Sequence, residues 1–246
     1  MITVVTSGKG GAGKSTVTAG VGAALAAAGR KVLLVDGDAG LRSLDLIMGI
    51  ADGTVYDLAD VFSGRCEPIR AIYPSPVYPG VSVIPAPVSL DQLCPPRDMV
   101  RLCRGFARYY DEVLIDCPAG VGPGFTTAVA AAERALIVTT PDMVCARDAY
   151  VVSELLEERR IVTRLIINRL RATPILKGAT PDVDEIIDLC GVQLIGIVPE
   201  DEALTTASGN GRPLPAHSTA MTCFDNIAQR LLGEEVPLAK LQKLAP

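Results

Sequence analysis

The chain has 246 residues, of which 49% are apolar and 21% charged, a balance ordinary for a packed globular protein. Its formal net charge of −5 argues against a non-specific nucleic-acid binder, which usually carries a basic excess. No apolar run reaches the ~20 residues needed to span a bilayer, and Met1 leads straight into a strand-like run rather than a secretory signal.

Short β-branched runs alternate with longer helix-like stretches. "ITVVTS" reads as the first strand. A glycine-rich loop follows, then an alanine-rich helix over 14–28 that stops at Gly29. "KVLLVD" is the second strand, followed by the loop "DGDAGLRSLD" and a helix over 55–62. "VSVIPA", a helix over 97–110, "EVLIDCP" and a helix over 125–132 come next. "RALIVTTP", a helix over 145–158, "TRLIINR" and a helix over 183–189 continue the alternation. "VQLIGIVPE" and helices over 202–208 and 218–232 complete it. Several strands are apolar almost throughout, as expected when both faces are buried. This order predicts an α/β fold: a three-layer, doubly wound, mostly parallel sheet with helices on both faces. No linker-like composition divides the chain, so 1–236 is expected to be one domain and 237–246 a short tail.

In such sheets ligands bind at the carboxyl ends of the strands. The chemically interesting residues cluster there. Gly8, Gly13, Lys14 and Ser15 satisfy G-x-x-x-x-G-K-[ST], between a strand and a helix. Glycines let successive N–H groups turn inward as an anion nest, and the helix adds its amino-terminal dipole. Lys14 supplies a point charge to phosphates and the Ser15 hydroxyl can ligate Mg2+. Asp116 ends the strand in "LIDCP", where an acid faces the phosphate loop and can hold Mg2+ through water. Asp36 and Asp38 lie two apart after the second strand, and a carboxylate near a γ-phosphate can orient an attacking water. Asn168 can pair with a purine edge or simply form a turn, and "PED" over 199–201 is open in the same way.

Other chemistries fall away. His217 is the only histidine, which removes a Ser–His–Asp triad and a His-based zinc site. The seven cysteines include no C-x-x-C pair and mostly sit in apolar runs, so reduced thiols in a cytoplasm are expected.

"SGKGGAGKST" resembles the deviant Walker A loop of the ParA/MinD ATPases, K-G-G-x-G-K-[ST]. "GLRSLDLIMG", "DCPAG", "INRL", "VDEII" and "LIGIVPED" look like the MinD branch of that family, and the resemblance covers nearly the whole chain. It implies ATP and Mg2+ as ligands and ATP hydrolysis as the reaction. Gly8, Lys9, Gly10, Gly11, Ala12, Gly13, Lys14, Ser15 and Thr16 would form the phosphate loop. Lys9, Lys14 and Asp38 would be catalytic. Lys9 would cross to the partner's phosphates in an ATP-sandwiched homodimer, and Asp38 would sit at the attacking water. Ser15 and Asp116 would serve the metal. Asn168, Arg169, Pro199, Glu200 and Asp201 would surround adenine. The family's MinD branch implies a MinC-like inhibitor of FtsZ assembly and a MinE-like activator as partners, an anionic membrane surface, and no specific nucleic acid.

The chain departs from the family at its end. Leu238, Leu241 and Leu244, with Lys240 and Lys243 between them, make about two turns of basic amphipathic helix without an aromatic anchor. A full membrane-targeting helix is therefore not expected, and the expected location is cytoplasmic. Ser43 stands where many MinD proteins carry Asn. Two other readings remain. One is another ParA-like positioning ATPase, flagellar or chromosomal. The other is a metabolic P-loop enzyme, which should show a substrate insert that this sequence lacks.

Overall fold

The computed structural model describes residues 1–40, 42–88, 94–210 and 212–238. It begins β1 (Ile2–Thr6), α1 (Lys14–Ala27), β2 (Val32–Asp36), α2 (Ser43–Ile47), α3 (Leu58–Phe62). It continues β3 (Tyr73–Pro74), β4 (Val81–Ile84), α4 (Pro96–Phe106), β5 (Glu112–Asp116), α5 (Pro123–Ala130). Then come β6 (Arg134–Thr139), α6 (Met143–Glu157), β7 (Val162–Leu170), α7 (Ala172–Leu176), α8 (Val183–Cys190). The chain closes with β8 (Leu194–Pro199), α9 (Glu202–Gly209) and α10 (Thr219–Leu231). Short 3-10 turns lie at Ala51–Gly53 and Pro68–Ala71.

The strands form one sheet in the order β3-β4-β2-β5-β1-β6-β7-β8. Every pairing is parallel except β3 with β4. Residues 2–6, 32–36 and 112–116 are buried throughout, which explains why they are mostly apolar with no alternation of polar and apolar residues. Parallel neighbours need crossover connections, and the helices between the strands supply them. α1 packs on α10, α4 on α5, and α6 on α8. The expected fold class is the one observed.

All the strand and helix runs expected from the sequence are present, with ends shifted by a few residues. Their caps account for several boundaries. Asp57 and Asp60 form a reciprocal capping box on α3, and Asp182 and Glu185 do so on α8. Asp142 caps α6 by accepting the Cys145 N–H at 2.9 Å. Three elements are additional. β3 is two residues long and antiparallel, too short to leave a periodic signal. α2 and α7 have five residues each, and α7 contains Pro174.

The seven cysteines carry no disulfide, and all but the half-buried Cys145 are buried. Burial pushes the Cys103 and Cys117 thiols up to about 12, so they behave as small apolar side chains. No described helix is long and apolar enough to cross a membrane. The tail positions Lys240, Leu241, Lys243 and Leu244 lie outside the described residues.

Candidate functional site

β1 delivers the glycine loop to the middle of the sheet, between β5 and β6. The loop is held from two sides. A Cβ on Gly8 would lie on the backbone carbonyl of Asp148 in α6, so only glycine allows that approach. Gly13 has φ 89°, and a Cβ there would strike Nδ2 of Asn168. That amide, at the end of β7, donates to the Ala12 carbonyl at 2.8 Å. The Ser7 hydroxyl closes the first half of the loop by donating to the Lys9 carbonyl at 2.7 Å. Gly13 also starts α1, whose first turn has no acidic residue and no side-chain cap. Its leading N–H groups are therefore left for an anion.

The two lysines of the loop have opposite surroundings. Lys14 is 6% exposed and forms no ion pair among the described residues. A buried, unpaired ammonium is costly unless a ligand supplies the counter-charge. Lys9 is exposed on the lip of the loop. Burial alone would raise the nearby Asp142 carboxyl. The Thr140 hydroxyl, the Cys145 N–H and the positive charge of Lys9 together hold it below the usual range.

Beside the loop stands a pair of buried carboxylates. The register of β2 against β5 sets Asp36 opposite Asp116. Burial and the charge of Asp116 push the Asp36 carboxyl well up. Burial pushes Asp116 up to about 6, against the opposing pull of the Ser15 hydroxyl and the Lys14 charge. Thr18 donates to Oδ1 of Asp116 at 3.3 Å, while Oδ2 is buried with no hydrogen-bond partner among the described residues. An orphaned carboxylate oxygen beside Ser15 fits a divalent cation. Among the described residues no three His, Cys, Asp or Glu side chains form a metal cage. Mg2+ needs none when phosphates and water complete its shell.

Asp38 lies next to this pair, half-buried, with its N–H donated to Oδ1 of Asp36 at 3.0 Å. Its carboxyl is raised by burial and pulled back by Lys14. Gly37 donates to the Asp116 carbonyl at 2.9 Å, tying the β2 and β5 loops together. Asp36 is the residue whose importance the sequence hid. Its strand-end position was visible, but only the cross-strand register shows that it faces Asp116.

The remaining expected positions are spread more widely. Thr16 directs its hydroxyl to Ser208 of α9, 3.1 Å away. Arg169 is exposed with φ 55°. Pro199 is buried at the end of β8, and Glu200 pairs with Arg171 at 3.1 Å. Asp201 caps α9 through the Leu204 N–H at 3.1 Å. Lys14, Ser15, Asp38, Asp116 and Asn168 thus converge on the loop, whereas residues 199–201 lie at the end of β8, separated from β1 by β6 and β7, and reach it through α9. The Asn168 amide has one hydrogen committed to the loop backbone. Removing that bond by Asn168→Ala is expected to weaken nucleotide binding about fivefold in calorimetric titration, the effect of one ordinary hydrogen bond.

Comparison with known proteins places this geometry. Residues 3–214 match the family described as the CobQ/CobB/MinD/ParA nucleotide binding domain. The septum site-determining protein MinD of Bacillus subtilis is 39% identical over 246 residues, covering 98% of this chain and 92% of that protein. The MinC:MinD cell division protein complex of Aquifex aeolicus superposes with a TM-score of 0.90 at 36% identity, covering 97% of this chain and 98% of that one. MinD of Pyrococcus horikoshii, solved with Mg-ADP, superposes with a TM-score of 0.84 at 30% identity, covering 94% and 95% of the two chains. The chain with the pinned glycine loop and the paired strand-end aspartates therefore belongs to the CobQ/CobB/MinD/ParA nucleotide-binding family, in its branch of MinD septum-site-determining proteins.

Proposed function

We propose that the chain is an ATPase switch that dimerises on ATP and takes part in placing the division septum. The observation that carries this reading is the contrast between the two lysines, Lys14 buried beside the nest and Lys9 exposed on its lip. One completes a site within the chain. The other is free to complete a site in a second copy.

In this reading the loop from Gly8 to Thr16 cradles the phosphates, and Lys14 neutralises them from within. Ser15 and Asp116 hold Mg2+, whose chemistry is to neutralise charge on the phosphate oxygens. Asp38 orients the attacking water, and its position is set by the bond from its N–H to Asp36. Lys9 of the second copy stabilises charge that develops in the transition state, as an arginine finger does. Asn168, Arg169 and residues 199–201 border the base. The unit that does this is 1–236, with 237–246 as a tail. The similarity to the Aquifex aeolicus MinC:MinD complex supports a MinC-like inhibitor of FtsZ assembly as partner. A MinE-like activator of hydrolysis belongs to the same reading. The reading places the protein in the cytoplasm, with ATP-dependent docking on anionic membrane assisted by the tail.

Light scattering tests the switch. The wild type should be monomeric with ADP and dimeric with ATP, and Asp38→Ala should accumulate as an ATP dimer with turnover reduced by at least about tenfold. Lys9→Ala should keep ATP binding but lose both dimer and hydrolysis. If wild type and Asp38→Ala both stay monomeric in saturating ATP, there is no such switch. Normal turnover by Lys9→Ala would remove its role across the interface.

A further inference from the structure

At the edge of the sheet lies a cleft of about 1320 Å3 that shares no residue with the site described above. One wall is α4. The other runs from α3 through the turn at Pro68–Ala71, and β3 and β4 contribute below. Phe62, Ile69, Ile72, Leu102, Phe106 and Tyr109 make it largely apolar. Ile69 is 68% exposed and Tyr109 77%, so large apolar surface faces water at its rim. The cleft reaches Lys31 and Gly80 at the amino ends of β2 and β4, whereas the phosphate loop leaves the carboxyl end of β1. A ligand on the loop therefore leaves the cleft open.

α4 adds charge. Its buried side is Met99, Cys103 and Phe106. At 100° per residue, Arg97, Arg101 and Arg104 fall together on the opposite side, and Arg108 prolongs the line in the turn that follows. All are exposed, and none enters an ion pair among the described residues. In a chain of net charge −5 this ridge is a local reversal of sign. Arg101 belongs both to the ridge and to the cleft wall. Asp98 is the only carboxylate among the lining residues, with Lys31 and Arg101 in the same wall set.

We propose that cleft and ridge together dock an acidic amphipathic segment of another protein. Its large apolar side chains would fill the cleft, and its carboxylates would pair along Arg97, Arg101 and Arg104. Guanidinium groups suit carboxylates because they can bind both oxygens at once. A nucleic-acid backbone has the charge but nothing to fill the apolar concavity, and a flat bilayer cannot follow it. This proposal does not depend on the ATPase reading.

A random-peptide library panned against the full chain provides the test. Selected peptides should be enriched in Asp and Glu interleaved with Leu and Phe. Two variants locate the binding. Arg101→Glu with Arg104→Glu inverts the ridge. Gly105→Leu fills the cleft from a helical position where an added Cβ meets nothing within 4 Å, and an unchanged thermal unfolding midpoint shows that the variant keeps its fold. Each should weaken the best selected peptide at least about tenfold. A single-stranded oligonucleotide and phosphatidylglycerol vesicles should fail to displace it. Selection without an acidic bias, unchanged affinity in Gly105→Leu, or displacement by the oligonucleotide or the vesicles would each overturn the proposal.

Discussion

Gly8→Ala is expected to lower nucleotide affinity at least about 100-fold and to destabilise the protein by about 2 kcal/mol. The cause is steric. The new methyl would occupy the place of the Asp148 backbone carbonyl, and backbone in the middle of α6 has no cheap way to move. The loop would have to lift off α6, and its inward-facing N–H groups would lose their common focus. Gly10→Ala is the control. A Cβ there meets only the Ala119 methyl, 3.8 Å away, so its thermal stability should stay within about 0.5 kcal/mol of wild type. Fluorescent-nucleotide titration and thermal unfolding of the pair decide the matter. If both variants behave alike, the contact with α6 is not what holds the loop.

That contrast marks the limit of what the sequence made legible. Gly8 and Gly10 look equivalent in "GKGGAGKS", and only the packing of α6 separates them. The same holds for Asp36. Its run "KVLLVD" was readable as a strand because buried parallel strands are apolar on both faces. Its pairing with Asp116 depends on a register between residues 80 apart in sequence, which no local pattern encodes. Asn168 was recognisable as a strand-end amide that could serve a base or a turn. Its bond to the Ala12 carbonyl adds a contact with a loop far earlier in the chain. The short elements were lost for a simpler reason. β3 and α2 are too short for a periodic pattern to repeat within them.

Asp116→Asn should act with opposite signs on folding and on ligand response. The ordinary carboxyl value is 3.8, and burial raises Asp116 to about 6. Its ionised form is therefore disfavoured in the folded chain by about 3 kcal/mol. The sign follows from proton binding. Between these two values the native state holds a proton that the unfolded state has lost, so stability falls as pH rises from about 4 to about 6. The contribution is fully present below the ordinary value and gone above the folded one. The amide has no charge to desolvate. Asp116→Asn should thus stabilise the nucleotide-free protein by about 2 kcal/mol at pH 7 and flatten its stability between pH 4 and 6. Asp36 should relax as well, because the charge of Asp116 is one of the causes that raise it. The gain has a counterpart. With Oδ2 replaced or turned away, added Mg2+ should no longer increase the thermal shift produced by ATP. Calorimetry of the nucleotide-free chain across pH, and with ATP in the presence and absence of Mg2+, reads both effects. An unchanged pH slope would mean that Asp116 is already ionised in the folded chain. A retained Mg2+ effect would remove it from the metal site.

The position of β1 has a further consequence for how the protein is made. This strand is synthesised before the other described strands of the sheet, yet its hydrogen-bonding neighbours are Glu112–Asp116 and Arg134–Thr139. A growing chain therefore carries its glycine loop long before it has anything on either side to hold it. Parallel pairing across such separations forms late and slowly. Asn168, which braces the loop at Ala12, emerges later still. A nascent fragment ending before β6 should show no nucleotide uptake, although every residue of the loop is present in it. Nucleotide uptake should therefore appear in one step, once β6 and the Asn168 brace have joined β1.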